Sequence, residues 1–156
     1  MGSYRDKLAR QVDGSLETGE NIIAAAKCLP KGASKRRAVG GVFGVLGALA
    51  AGQSARSGPS VLGRPVPKNL ALAVTNHRVL VFRLSEATDK ASELTHSIPT
   101  SQVTGVQSQV GRSVGMKAIY LALSFADGST AALEAVRPNT KDGEDVAKAL
   151  STALAT

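Results

Sequence analysis

Residues 117–136, "KAIYLALSFADGSTAALEAV", decide the fold. Ile119, Leu121, Leu123 and Phe125 alternate with Ala118, Tyr120, Ala122 and Ser124, the period of a strand with one buried face. The first set is expected to face in and the second to face out. Asp127-Gly128 is a strong hairpin signal, and "STAALEAV" (129–136) returns beside it. A chain patterned this way builds an antiparallel sheet.

The same reading extends in both directions. "NIIAAAKCL" (21–29) is a first strand, with Ile22, Ala24, Ala26 and Cys28 alternating against Ile23, Ala25 and Lys27, ended by Pro30 and Gly32. "LALAVT" (70–75) sets Leu70, Leu72 and Val74 on one face. "RVLVFRL" (78–84) follows the two-residue loop Asn76-His77, where Asn tolerates positive φ. Polar residues 85–92 form a longer turn, "ELTHSI" (93–98) stops at Pro99, and "QVTGVQSQV" (102–110) resumes the extended pattern. Near the N-terminus Ser3 and Asp6 make a loose capping box, and Tyr4, Leu8 and Val12 recur at helical spacing until Gly14, which predicts a short helix over 4–13. At the other end Asp142 can cap a helix, Glu144 and Asp145 occupy its first turn, and Val146, Ala149, Leu150, Ala153 and Leu154 form one apolar stripe. The expected class is therefore mainly β (α+β): seven antiparallel strands in a barrel or sandwich, closed by a C-terminal helix.

Length and composition bound the rest. A chain of 156 residues supports one domain with a sizeable core, and 43% apolar against 20% charged residues describes a globular chain, not a disordered one. Aromatics are scarce, so the core rests on Val, Leu, Ile and Ala. The lone Cys28 has no partner for a disulfide, and "MGSYRDKLARQVDG" lacks the apolar run of a signal peptide. Asp6 stands where a myristoylation signal wants Ser or Thr. The expected location is cytoplasmic, with peripheral contact at the inner membrane face.

The formal charge of +7 is unevenly spread. From Asn21 to Ser85 there is no Asp or Glu, yet ten basic residues: Lys27, Lys31, Lys35, Arg36, Arg37, Arg56, Arg64, Lys68, Arg78 and Arg83. The other segments hold nine basic and twelve acidic residues. Such asymmetry favours an anionic partner, phospholipid or nucleic acid, over an evenly solvated surface.

The strand order, the "VTNHRVLVF" hairpin, the "HSIPTSQVTGV" stretch and "LSFADGSTAALEAV" before a final helix together resemble the bacterial pleckstrin-homology-like domains, whose shape is shared by PH and GRAM domains. The resemblance covers about 18–154, with 1–17 as an N-terminal helical arm. It implies a binding scaffold and no catalysis. One departure stands out. PH-like domains usually join their first two strands by a short or moderate loop, whereas here residues 30–69 form an elaborated insertion between them.

Within that insertion, "KRRAVGGVFGVLGALAAGQSAR" (35–56) runs from three basic residues into eighteen uncharged positions, the first fifteen of them (38–52) apolar or glycine. On a helical wheel Gly40, Gly44, Gly47 and Ala51 form a small-residue face, while Val42, Val45, Leu46 and Leu49 form a bulky one with Phe43 beside it. The run is short of the roughly 20 apolar residues a membrane span needs. Two readings stay open. The helix packs in its own domain or a homo-oligomer interface, through contacts of the GxxxG kind. Alternatively Val42, Phe43, Leu46 and Leu49 enter the headgroup boundary, with Lys31, Lys35, Arg36, Arg37, Arg56, Arg64 and Lys68 facing lipid phosphates or another anionic partner. Lys31, Lys35 and Arg37 loosely satisfy the basic motif of phosphoinositide-binding PH domains. They lead into the glycine-rich run instead of a second strand, so diffuse attraction is expected and inositol-lipid specificity is not.

No catalytic constellation appears. Neither a nucleophile elbow nor a phosphate-binding glycine loop is present, and no His/Cys/carboxylate cluster has metal-ligand spacing. His77 falls in a turn, and His96 shares a strand face with Leu94 and Ile98 as a rim or core histidine. The sequence is thus read as non-enzymatic, without cofactor or small-molecule substrate. Self-association, another protein and an anionic membrane are its expected partners. Nucleic acid ranks third: Phe43 and Phe82 are the only aromatics in the basic segment, and no recognition motif accompanies them.

Overall fold

The computed structural model describes residues 3–30, 60–61, 64–113, 115–136 and 139–155. The expected helix at 38–52 lies outside the described residues. Helix α1 (Tyr4–Gln11) opens the chain; its capping box is present, Ser3 Oγ accepting from the Asp6 amide and the Asp6 carboxylate accepting from the Ser3 amide. Among the described residues nine strands follow in order: β1 (Ile22–Pro30), β2 (Ser60–Val61), β3 (Arg64–Pro65), β4 (Leu70–Thr75), β5 (Arg78–Leu84), β6 (Ala91–Pro99), β7 (Val103–Ser113), β8 (Met116–Phe125) and β9 (Thr130–Val136). Helix α2 (Thr140–Leu154) comes last. Beyond the seven expected strands, the proline-rich stretch after the insertion contributes a minimal ribbon, Ser60 pairing Pro65 and Val61 pairing Arg64.

The seven long strands form one antiparallel series, β6-β5-β4-β1-β9-β8-β7. β1 belongs to two sheets: residues up to Cys28 pair with β4, and Leu29 and Pro30 pair with Glu134 and Leu133 of β9. The inner faces share one core. Leu70, Leu72, Val74, Val79, Val81 and Ile98 come from one half, and Ile119, Leu121, Leu123, Phe125 and Leu133 from the other. The stripe of α2 closes it through Val146, Ala147 and Leu150. The helix can approach because Gly143 has no side chain; a Cβ there would stand 2.8 Å from that of Ala135. Asp142 does not cap α2, since Asn139 holds the cap position, without a side-chain bond, and Asp142 falls in the first turn.

Outside the first half, α1 lays Leu8 and Val12 on Ala25, Ala71 and Ala73, with Leu80 and Phe82 alongside. Alanines at those positions keep the strand surface flat enough for a two-turn helix, which could not persist without such packing.

Three expectations about faces are corrected. Ile22 joins the α1 side instead of the Ala24 side, because the register shifts between them. Leu94 likewise faces α1 while His96 and Ile98 face the core; a bulge opposite Val81 and Phe82 absorbs Thr95 and reverses the alternation. The second face of β8 is not solvent-facing: Ala118, Tyr120 and Ala122 are buried there, and only Ser124 is half-buried. The Tyr120 ring lies over Gly111, where a Cβ would meet it at 2.5 Å, and its hydroxyl donates to the Arg112 carbonyl (2.6 Å). The turn at Asn76-His77 stands as expected, but for another reason. Among the described non-glycine residues positive φ occurs at Asp89 (59°), not at Asn76. Asn76 works through its side chain, accepting from the Asn21 amide (2.9 Å) and donating to the Gly19 carbonyl (3.1 Å).

Candidate functional site

The antiparallel registers bring the end of β1, the start of β4, the β5–β6 turn and the β8–β9 turn to one end of the molecule. Both flanks of the insertion are fastened at this end. Pro30 is paired into β9, and Val61 is buried in the core. The Val61 carbonyl also lies 3.2 Å from Nε2 of buried His96, whose Nδ1 is 2.9 Å from Thr95 Oγ1. His96 is a satisfied core histidine that ties the returning chain to β6.

Among the described residues, Lys27, Arg78 and Arg83 of this basic set are matched by acids from outside the acid-free segment. Lys27 contacts the Asp89 carboxylate, which also accepts from Asn69 Nδ2 (3.1 Å); the Lys27 hydrogen bond leads in holding the Asp89 carboxyl below its usual range. Arg83 meets Glu93 at 3.3 Å on the surface. Arg78 meets Glu20 at the opposite end of the molecule, and this pair is of another kind. The Glu20 side chain is fully buried and accepts from Arg78 Nε (2.9 Å), Arg78 Nη2 (2.9 Å), Thr75 Oγ1 (2.6 Å) and the Glu17 amide (2.9 Å). Those bonds, the Arg78 pair foremost, outweigh desolvation and hold its carboxyl at about 2. Arg78 also donates to Ser97 Oγ and the Ser15 carbonyl, so one guanidinium clasps the N-terminal arm, the β4–β5 hairpin and β6. Sequence reading missed this clasp, whose members lie far apart in a polar run and a strand start.

Of the residues expected to hold an anionic partner, Lys31, Lys35, Arg36, Arg37 and Arg56 lie outside the described residues, as do Gly40, Val42, Phe43, Gly44, Leu46, Gly47 and Leu49. Arg64 is in β3. Lys68 is exposed and makes no ion pair among the described residues. The described part of this end carries both signs, Glu86, Asp89 and Glu93 beside Lys27, Arg83 and Lys90, and is not itself a basic surface.

Among the described residues, the core cavity between Val61, His96, Leu72 and Phe125 measures about 20 Å³, roughly one water's space. A larger open groove of about 560 Å³ lies between α1, β1 and α2, floored by Ile23, Ala24 and Ala25. Its rim carries Arg5 and Lys148 against Asp142 and Asp145, so it holds no net preference for an anion. Among the described residues no helix is long and apolar enough to cross a membrane.

Seven strands in this order, one strand shared by two sheets, and a terminal helix over the open corner define the architecture. The fold is pleckstrin-homology-like. Solved structures agree. A pleckstrin homology domain from Shewanella amazonensis SB2B matches with a TM-score of 0.52 at 14% identity, over 96% of this chain and 97% of that one. A DUF1696 family protein with a pleckstrin-homology domain from Shewanella loihica PV-4 matches at 0.51 and 14%, over 96% and 92%. At such identities the likeness is one of fold. No family model matches the chain, and no curated protein does.

Proposed function

We propose that this pleckstrin-homology-like module is a non-enzymatic binding domain that docks on anionic membrane surfaces through its basic, glycine-rich first insertion. The observation that carries the reading is the distribution of charge. Lys27, Arg78 and Arg83 are neutralised by Asp89, Glu20 and Glu93. In the sequence, Lys31, Lys35, Arg36, Arg37, Arg56, Arg64 and Lys68 flank Val42, Phe43, Leu46 and Leu49 in a span without one acidic residue. Cations flanking an apolar patch are sufficient for peripheral binding, each surface Lys or Arg adding about 1 kcal/mol on anionic lipid.

Vesicle co-sedimentation tests it. Binding is expected to require phosphatidylserine, to weaken as salt rises, and to fall about 30-fold in Arg36→Ala/Arg37→Ala, the loss of about 2 kcal/mol. Phe43→Ser/Leu46→Ser removes the apolar anchor and is expected to abolish what remains. Equal binding to neutral and anionic vesicles, or none at low salt, sinks the proposal. A salt-sensitive shift of arbitrary duplex DNA without lipid binding transfers the role to nucleic acid.

A further inference from the structure

Among the described residues the last strand of the sheet, β7, pairs with β8 alone, with no strand on its other edge, while α2 packs against part of it. The two terminal strands differ. β6 is blunted by Pro99, by the charged pair of Glu93 with Arg83, and by two register shifts against β5. β7 is less defended: from Val103 to Gly111 it has no charge and no proline, and its register with β8 shifts once, between Val103 and Gly105, then runs unbroken to Ser113. Gln107, Ser108 and Gln109 are exposed, and Val110 is 63% exposed, the most open large apolar side chain among the described residues.

The open edge has a second property. Residues 105–111 read GVQSQVG, the same in both directions about Ser108. Two copies of such a strand placed antiparallel about a two-fold axis at Ser108 set every residue against its own kind. Val106 meets Val110 of the second copy, Gln107 meets Gln109, Gly105 meets Gly111, and Ser108 meets itself. Apolar side chains gain apolar cross-strand neighbours, amides gain amides, and no like charges are opposed. Arg112 falls opposite Thr104.

We propose that β7 is a self-recognition edge, through which two copies of this chain join their sheets antiparallel about Ser108. The interface is isologous, and it excludes an extended partner of unrelated sequence only in preference, since any strand can use the free backbone groups. Two strand edges bury less than a standard interface, so the dimer is weak and concentration-dependent.

Sedimentation equilibrium of the full chain, read with two substitutions at the exposed axis position, provides the test. Wild type is expected to dimerise below about 1 mM. Ser108→Lys and Ser108→Glu each oppose like charges on the axis and are expected to weaken self-association tenfold or more, while their equimolar mixture restores the dimer. Ser108→Cys is expected to form an intermolecular disulfide on mild oxidation, because directly opposed residues lie roughly 4.5–5.5 Å apart at Cα, within disulfide reach. Cys28, 1% exposed, stays silent. A wild type that stays monomeric to about 1 mM, a dimer indifferent to Ser108→Lys, or a mixture that fails to recover overturns the proposal. So does a dimer lost in Phe43→Ser/Leu46→Ser, which would move the interface to the insertion. Vesicle binding by Ser108→Lys is expected to match wild type, so docking and pairing fail separately.

Discussion

Replacing Glu20 by Gln isolates the Arg78 clasp. The wild-type carboxylate is fully buried and receives four hydrogen bonds, two from Arg78 at 2.9 Å. A carboxyl held at about 2 instead of its ordinary 4.5 favours the folded, ionised form by about 3 kcal/mol. Glutamine keeps the shape but turns an amide donor toward groups that are themselves donors, and it leaves the guanidinium without its counter-charge. Removing one partner of a buried pair costs about 3–5 kcal/mol. With a urea m-value of about 2 kcal/mol/M, the midpoint at pH 7 is expected to fall by about 2 M. The pH dependence gives a second reading. Because the folded pKa is depressed, the contribution is complete above about 4.5 and is lost as pH falls toward about 2. The gap between wild type and Glu20→Gln should therefore narrow by about 3 kcal/mol across that window. A loss under about 1 kcal/mol at pH 7, or a gap unchanged by acid, would refute the reasoning.

Two further outcomes follow from packing. Gly143→Ala gains about 1 kcal/mol in helix propensity but forces a methyl to 2.8 Å from Ala135 Cβ, at an overpacking cost of about 1–3 kcal/mol. A net loss is expected in urea titration, with positive coupling to Ala135→Gly in a double-mutant cycle, and a stabilised Gly143→Ala would contradict it. Burial pushes the Cys28 thiol up to about 12, so a thiol reagent at neutral pH is expected to label it only at the rate of unfolding. Rapid labelling of the folded chain would show that β1 is open.

The elements were legible because their patterns are local. Ile119, Leu121, Leu123 and Phe125 state a strand unaided, Asp127-Gly128 states its turn with φ of +90° at Gly128, and the α2 stripe needs no tertiary knowledge. Reading failed where one residue breaks parity. A bulge carries no sequence mark, yet it moves Ile22 and Leu94 to the other face. The burial of Tyr120 could not be read from its alternation, which says which face a residue takes and not what lies above that face. Glu20 and Arg78 could not be paired from sequence, since each has ordinary polar neighbours and their meeting depends on the whole sheet. For the candidate site, composition marked a basic span without acids; the structure showed that Lys27, Arg78 and Arg83 within it meet acids from outside it.

The seam at β1 also sets an order of events during synthesis. Cys28 can find Leu70 as soon as the first hairpin emerges, but Pro30 waits for Leu133. Until then the nascent chain holds half a barrel with its apolar side unsealed, and α2, which closes it, is made later still. Folding is thus gated by translation of the last quarter of the chain. A ribosome stalled between Phe125 and Thr130 would present a sticky intermediate that calls for a chaperone.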